Sequence, residues 1–185
     1  MDGAAPPAPP PAPPAAAARR GDDLRWLALA CDLAAQCPPS ATAFSVGAVI
    51  VDADGRELAR GFSRETDPQA HAEETALAKI GAVLWTGSEW TGRGRTGPDP
   101  RTRERLRGAT IYSSLEPCGR RLSRPRTCAE LILAAGIRRV VFAWREPPLF
   151  VEGEGVELLR ARGAQVVELP ELAARAREPN AHLLP

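Results

Sequence analysis

One histidine, two cysteines and a glutamate follow one another in this chain with the spacing of a catalytic metal site. His71-Ala72-Glu73 is followed by Pro117-Cys118 and then by Cys128, with nine residues between the two cysteines. A catalytic zinc ion usually has three protein ligands, chosen from His nitrogen and Cys sulfur, and keeps one position open for water. We therefore predict that His71, Cys118 and Cys128 bind one zinc ion, which would lower the pKa of that water to about 7.

Glu73 has a different predicted role, because it stands two residues after the histidine and can lie beside a metal without binding it. A carboxylate in that position can take a proton from water and deliver protons to a ring nitrogen and a leaving amine. A His-x-Glu can also occur by chance, and buried cysteines often serve only to fill space in a protein core. The order of the motifs nevertheless favours hydrolytic removal of an amino group from a base ring, with Glu73 as the catalytic residue.

Local sequence patterns place both ends of this site at helix starts. Asp67-Pro68 is typical of a helix beginning, which predicts a helix over His71 to Leu84. The run from Ala109 to Ser114 is strand-like and precedes Cys118, and Cys128 opens a helical run that Gly136 ends. The partial positive charge of a helix N-terminus favours a thiolate over a thiol.

These motifs resemble the cytidine and deoxycytidylate deaminase superfamily, and within it the pyrimidine deaminase domain of riboflavin biosynthesis. That domain also joins its two cysteines by a loop longer than Cys-x-x-Cys. The similarity extends over residues 24–169 and includes Leu115-Glu116-Pro117-Cys118, Ala134–Val141 and Val151–Gly155. The resemblance implies an α/β fold, a three-layer α/β/α sandwich with a mixed five-stranded sheet. It also implies one Zn²⁺ per chain, conversion of an aminopyrimidine nucleotide to its oxo form with release of ammonia, and a homodimer or homotetramer.

The chain departs from the riboflavin pattern in ways that leave the substrate open. Its Cys–Cys loop, residues 119–127, lacks the His and the Gly-Arg-Thr-Pro-Pro of that family. The sequence Ala43-Phe44-Ser45 before Val46-Gly47-Ala48 is more similar to cytidine deaminases. The alternatives are a cytidine, deoxycytidylate or nucleobase deaminase and, from another class, a zinc-binding interaction protein without catalysis. The riboflavin family often carries a reductase domain after the deaminase, and with 185 residues we expect none here.

Substrate contacts are predicted from the superfamily and from the charge of the Cys–Cys loop. The resemblance implies that backbone atoms contact the base edge and amine, that an aromatic ring packs on the base, and that a carboxylate orients the substrate or the loop. We assign the backbone contacts to Ala72, Ser114 and Leu115, the aromatic ring to Phe44, and the carboxylate to Glu116. From the loop we assign Arg124 and Arg126 to a substrate phosphate, because Arg offers two parallel donors. Surface charge in an Arg-rich protein is an equal alternative.

Composition sets the remaining expectations. Residues 1–20 form an Ala/Pro-rich stretch that we interpret as a disordered tail, followed by a deaminase domain over 21–170 and a C-terminal tail over 171–185. A net charge of +1 provides no overall electrostatic attraction to nucleic acid, so we do not expect nucleic acid as a partner. The four cysteines do not indicate a disulfide framework, and we therefore expect the protein in the reducing cytoplasm. No run is apolar enough to span a membrane. Residues 85–108 fit no element, and we interpret them as a solvated insertion.

Overall fold

A mixed five-stranded sheet forms the centre of the chain in a computed structural model, which describes residues 14–82, 84–86, 89–91, 98–147 and 154–184. The strands are β1 (Gly47–Val51), β2 (Glu57–Phe62), β3 (Leu84–Thr86), β4 (Glu89–Thr91), β5 (Thr110–Leu115), β6 (Arg139–Trp144) and β7 (Gln165–Glu168). The main sheet has the order β2-β1-β5-β6-β7, and β3 pairs with β4 in a separate hairpin. Strand β1 runs antiparallel to β2 and β5, whereas β5, β6 and β7 are parallel.

Helices cover both faces of this sheet. They are α1 (Pro14–Ala34), α2 (Ala72–Lys79), α3 (Pro100–Arg107), α4 (Cys128–Ala134), α5 (Gly155–Ala161) and α6 (Ala173–Arg177), with 3₁₀ turns at Pro170–Leu172 and Glu178–Leu183. Successive strand residues point to opposite faces. Tyr112 accordingly packs in the cluster that contains Leu27 of α1, and its neighbour Ile111 packs in the cluster that contains Leu77 of α2. This arrangement confirms the predicted α/β/α sandwich and its mixed five-stranded sheet.

The connections bring the ends of several strands to one edge of the sheet. Because β2, β5 and β6 all run in the same direction, their carboxyl ends meet at this edge, and β1 begins there. In open α/β sheets, sites form at the carboxyl ends of strands. The segments leading to His71 and Cys118 leave the sheet at this edge, after β2 and β5 respectively.

Several element boundaries differ from those predicted. Helix α1 begins at Pro14 and not at Asp22 or Asp23, so residues 14–20 of the predicted tail are helical, while residues 1–13 lie outside the described residues. Asp23 does not cap the helix. It is buried at 5 % exposure and accepts hydrogen bonds from Tyr112 Oη, at 2.9 Å, and from Arg139.

The segments predicted to lack structure also contain helices. Residues 85–108 were predicted to fit no element, which was wrong, because they include part of the β3–β4 hairpin and all of α3. Asp99 caps α3 by accepting from the backbone N–H groups of Arg101 and Thr102. In the predicted C-terminal tail, α6 buries Ala176 against the α1 face of the sheet. No helix in the described part of the chain has both the length and the apolar character needed to cross a bilayer.

Gly47 lets α1 lie directly against β1, which generates a stability prediction. A Cβ atom at this position would stand 2.2 Å from the backbone oxygen of Ala30 and 2.8 Å from the backbone nitrogen of Ala34. Because helix backbone cannot move aside cheaply, Gly47→Ala should lower the free energy of unfolding by about 1–3 kcal/mol. Urea denaturation would measure this loss.

Gly21→Ala is the matched control within α1. Nothing lies within 4 Å of a Cβ added at Gly21. Since Gly in a helix interior costs about 0.5–1 kcal/mol relative to Ala, this change should raise stability. Equal effects of the two substitutions would contradict the proposed contact between α1 and β1.

Candidate active site

The side chains of His71, Cys118 and Cys128 converge at the edge where β2 and β5 end. His71 Nδ1 lies 3.6 Å from Cys118 Sγ and 3.4 Å from Cys128 Sγ, and the three atoms are all within 4.8 Å of one another. A tetrahedral zinc ion, with Zn–S of about 2.3 Å and Zn–N of about 2.0 Å, would hold nitrogen and sulfur about 3.5 Å apart. The donor types and their separations therefore fit zinc with three protein ligands and one open position.

Helix starts position two of these three side chains. His71 is the N-cap residue of α2, and its carbonyl oxygen accepts from Thr75 N at 3.0 Å and from Thr75 Oγ1 at 2.9 Å. Cys128 is the first residue of α4, which begins with a capping box formed by Thr127 and Glu130. The backbone N–H of Cys128 donates to Cys118 Sγ over 3.3 Å, and this hydrogen bond links the two ends of the Cys–Cys loop.

The two cysteines have opposite pKa shifts. The pKa of Cys118 lies well below its usual value, because Cys128, first of all, and then His71 donate hydrogen bonds to its sulfur. The pKa of Cys128 is raised, because its thiol shares that hydrogen bond and is fully buried. Of the two cysteines, Cys118 therefore has the surroundings that favour a thiolate, the form in which cysteine binds metals.

Glu73 lies beside these ligands and is 3 % exposed. Its Oε1 accepts a hydrogen bond from Ser113 Oγ over 2.8 Å. Burial raises the pKa of Glu73, and the nearby charge of Cys118 adds to this shift. The side chain of the neighbouring Ser114, whose backbone was predicted to contact the base, accepts from Gly47 N at 3.1 Å. Sequence reasoning therefore missed Ser113 as the side chain that orients Glu73.

A cavity of about 360 Å³ opens onto His71, Glu73 and Cys118. Of the residues predicted to contact a substrate, Phe44, Leu115 and Glu116 line this cavity. Ala72, Ser114, Arg124 and Arg126 lie outside its lining. Phe44 is fixed by an edge-to-face contact with Trp144, whose ring centroid is 5.5 Å away.

Glu116 accepts hydrogen bonds from backbone groups after β6 and in α5, and its predicted contact with the substrate or with the Cys–Cys loop stays a prediction. Its Oε1 accepts from Val156 N at 2.9 Å, and its Oε2 accepts from Glu146 N at 3.4 Å. The carboxylate thus fastens the segments that follow β6 and begin α5 to the end of β5. Each of its two oxygens holds a backbone group, and the side chain is 4 % exposed.

The C-terminal segment holds the Phe44 wall of the cavity. The side chain of Asn180 accepts from Ser45 N at 2.6 Å and donates to Ser45 O at 2.9 Å, so it binds both backbone groups of one residue. Arg64 donates to Phe44 O at 3.0 Å from the other side. The stretch that the sequence suggested to be a tail therefore supports the candidate site.

The Cys–Cys loop divides its arginines between the cavity and the protein interior. Arg120 and Arg121 are among the residues that line the cavity, although neither was selected from the sequence, and the Arg121 side chain is only 2 % exposed. Arg124, whose side chain is 6 % exposed, forms a buried ion pair with Glu74 and a second ion pair with Asp67, which is 41 % exposed. The pairing of Arg124 with these carboxylates gives it a role within the protein, while Arg126 is half-buried and its predicted phosphate contact stays a prediction.

Glu146 is a further cavity residue that sequence reasoning missed. It lines the cavity, and its Oε2 is buried without a hydrogen-bond partner among the described residues. Burial raises its pKa to about 8, and the charges of Cys118, Glu116 and Glu73 contribute. A signal was present in the sequence, because Glu146 follows β6 as Glu116 follows β5, and parallel neighbours end at the same edge.

The raised pKa of Glu146 predicts a pH dependence of folding. The ordinary pKa of this carboxyl is 4.5, so between 4.5 and about 8 the folded protein keeps a proton that the unfolded chain has lost. The free energy of unfolding should then fall as pH rises through this window, by at most about 1.4 kcal/mol per pH unit. Glu146→Gln should flatten this slope in urea denaturation of the metal-free protein between pH 5 and 8.

Glu157→Gln provides the control for that experiment, because the Glu157 side chain is 64 % exposed. This variant should keep the slope of the parent protein. Identical slopes for the parent and Glu146→Gln would show that the Glu146 proton does not contribute to folding.

Comparison with known proteins shows where the same pattern occurs. Residues 20–144 match the family model described as the cytidine and deoxycytidylate deaminase zinc-binding region. The diaminohydroxyphosphoribosylamino-pyrimidine deaminase of Schizosaccharomyces pombe is 38 % identical over 73 % of this chain and 29 % of its own length. The riboflavin biosynthesis protein RibD of Aquifex aeolicus is 34 % identical over 66 % of this chain and 27 % of its own length. The chain thus spans less than a third of these curated relatives.

Solved structures resemble the fold over most of the chain. The diaminohydroxyphosphoribosylaminopyrimidine deaminase/5-amino-6-(5-phosphoribosylamino)uracil reductase of Thermotoga maritima is 30 % identical, with a TM-score of 0.64 over 87 % of this chain and 40 % of that one. The Rib2 deaminase of Aspergillus oryzae in complex with DARIPP has a TM-score of 0.61 over 88 % of this chain and 96 % of that one. At 22 % identity, this second likeness supports the fold alone.

Proposed function

The chain belongs to the cytidine and deoxycytidylate deaminase family, and we propose that it is a zinc-dependent hydrolytic deaminase of an aminopyrimidine nucleotide. The observation that carries this proposal is the buried Glu73 carboxylate beside the converging His71, Cys118 and Cys128, at the base of an open cavity. A scaffold that only binds metal would not require a buried carboxylate next to its ligands.

The proposed reaction exchanges an exocyclic amine for an oxygen. Water forms a C–O bond at the ring carbon, the C–N bond breaks, and ammonia leaves, so the sum is substrate plus water to the oxo product plus ammonia. Zinc, held by His71, Cys118 and Cys128, would supply Lewis acidity that makes water a nucleophile at neutral pH. Glu73 accepts a proton from the water and passes protons to the ring nitrogen and to the departing amine.

The chain's own geometry suits Glu73 to this task. Ser113 Oγ donates a hydrogen bond to Oε1 of Glu73, which orients the carboxylate beside the candidate metal ligands. The environment that raises the pKa of Glu73 also lets this group hold a proton between the two transfers. Phe44 offers an aromatic edge of the cavity for the ring of a base, and Trp144 keeps Phe44 in place.

The relatives support a particular substrate class. The S. pombe and T. maritima proteins carry names that specify a diaminopyrimidine with a phosphoribosylamino group. We assign the corresponding riboflavin-pathway diaminopyrimidine to this chain. Arg120 lines the cavity and provides positive charge for a phosphate, a role that was predicted from the sequence for Arg124 and Arg126.

The proposal extends to metal content, assembly and location. We assign one zinc ion per chain, and we assign a homodimer or homotetramer from the resemblance of the chain to its superfamily. Leu122 supports self-association, because it is 97 % exposed at the rim of the cavity. A reducing cytoplasm suits the four cysteines, all of which are unpaired thiols.

Zinc binding can be tested by metal analysis of purified protein. The parent should contain close to one zinc per chain, and Cys118→Ser or Cys128→Ser should lose most of it, because a hydroxyl is a far poorer zinc ligand than a thiolate. Cys37→Ser is the control, since Cys37 donates to Val46 O and lies outside the ligand group. Full zinc content in both ligand variants would contradict the site.

Catalysis can be tested by ammonia release from zinc-loaded protein. The panel contains the riboflavin-pathway diaminopyrimidine phosphate, cytidine, deoxycytidylate, cytosine and guanine, and we expect release from the first compound. Glu73→Ala should retain zinc and fold but reduce the rate by about 10²- to 10⁴-fold or more. Glu104→Ala, whose side chain is 74 % exposed, should leave the rate unchanged.

The outcomes separate the competing functions. Release from cytidine or deoxycytidylate alone would keep the reaction and change the substrate. Turnover that survives Glu73→Ala would overturn the mechanism. No release from any compound, in a protein with one zinc per chain, would favour the zinc-binding interaction protein without catalysis.

A further inference from the structure

The loop that joins the two cysteine ligands is long for its task. Nine residues separate Cys118 from Cys128, and between them the loop forms neither helix nor strand. The two sulfurs stand at its ends, after β5 and at the start of α4, and ordering the residues between them costs conformational entropy. A loop of this kind binds metal tightly only if other contacts fix it beforehand.

Two arginines of this loop turn into the protein interior. The side chains of Arg121 and Arg124 are 2 % and 6 % exposed, whereas Leu122, between them, is almost completely exposed. Arginine is rarely buried unless it is paired with an acid. The burial of two cations in one short loop therefore requires a nearby source of negative charge.

Glu74 of α2 provides that charge at the centre of the contact. Its Oε2 lies 2.9 Å from Arg121 Nη2, and its Oε1 lies 3.4 Å from Arg124 Nε. Asp67, which precedes α2, pairs with Arg124 on the other side. Two buried cations thus meet two carboxylates, and we call these four residues, Asp67, Glu74, Arg121 and Arg124, the Glu74 clamp.

Further hydrogen bonds join the same loop to the segment that precedes α2. Arg121 Nη2 donates to the carbonyl oxygen of Gln69 over 2.5 Å, and Arg121 Nε donates to Ser123 Oγ within the loop. Asp67 accepts from Gln69 N at 2.8 Å, so the acid that pairs with Arg124 is itself held. The clamp therefore joins the loop to the segment that ends at His71.

Glu74 stands three residues after His71 and one after Glu73, on the helix that carries both. The clamp joins this helix to the loop that carries both sulfurs, so a single carboxylate connects all three candidate ligands. We propose that Glu74 is a positioning residue for the metal, and that the Glu74 clamp sets zinc affinity by holding the Cys–Cys loop in its binding conformation. This inference rests on the proposed zinc site.

The test is the zinc affinity of full-length Glu74→Gln, measured by competition with a chelator of known zinc affinity. Gln keeps the size of the side chain and removes its charge, which leaves two buried arginines with Asp67 alone. Loss of a partner that orients metal ligands typically weakens metal binding by about 10- to 100-fold. We expect a decrease of this size, together with faster loss of zinc to the chelator.

Glu65→Gln is the matched control. Glu65 pairs with Lys79 over 2.6 Å near the same helix, and the Lys79 side chain is 42 % exposed. The pair does not include the Cys–Cys loop, so its loss should leave zinc affinity unchanged. Equal zinc affinities for the parent, Glu65→Gln and Glu74→Gln would overturn the proposal.

Arg121→Gln separates positioning from a general loss of structure. This variant leaves α2 unchanged and removes one loop cation, so it should also weaken zinc binding. Because Glu74 and Arg121 act as a pair, the double variant should lose less affinity than the two single losses combined. If Glu74→Gln does not fold, parent-like affinity in a folded Arg121→Gln would itself refute the clamp.

The measurement also distinguishes this inference from the proposed function. A parent protein that fails to bind zinc would overturn the metal site on which both depend. A parent that binds zinc, with unchanged affinity in the folded variants, would remove the clamp alone and leave the proposed deaminase reaction standing. Thermal unfolding of the zinc-free variants identifies those that are folded.

Discussion

Three candidate ligand atoms from separate parts of the chain lie within 4.8 Å of one another, and much of the structure serves this convergence. His71 begins α2, Cys128 begins α4, and Cys118 follows β5. Two helix starts can meet a strand end in this way because β2 and β5 point in the same direction on either side of β1. The hydrogen bond from Cys128 N to Cys118 Sγ then links the start of α4 to the segment that follows β5.

The arrangement of the candidate site was predictable from the sequence because it depends on a few residue types in a fixed order. His71, Cys118 and Cys128 converge as their spacing indicated, and Glu73 lies buried next to them. The sandwich was expected from the resemblance to a known superfamily, and the elements around the motifs follow patterns such as the strand-like run from Ala109 to Ser114. Local patterns of this kind act over a few residues, and sequence reasoning handles them well.

Other features were not predictable because they depend on partners far away in the sequence. Four arginines occupy the Cys–Cys loop, and nothing in their local pattern distinguishes Arg120, at the cavity, from Arg124, which is buried. The difference arises from Glu74 and Asp67, which lie about fifty residues earlier. The role of Ser113 was likewise undetermined, because adjacent strand residues face opposite sides of the sheet and the register of β5 was not known.

The contact between Asn180 and Ser45 has a consequence for how the protein is made. A ribosome synthesises the chain from its N-terminus, so Phe44 and Ser45 emerge long before the side chain that holds them, 135 residues later. Proteins with such distant pairings fold more slowly than those with local ones. His71, Cys118 and Cys128 all emerge before Asn180, so the three candidate ligands can meet while the Phe44 wall is still unsupported. The order of synthesis thus places the candidate metal site ahead of the wall of its cavity.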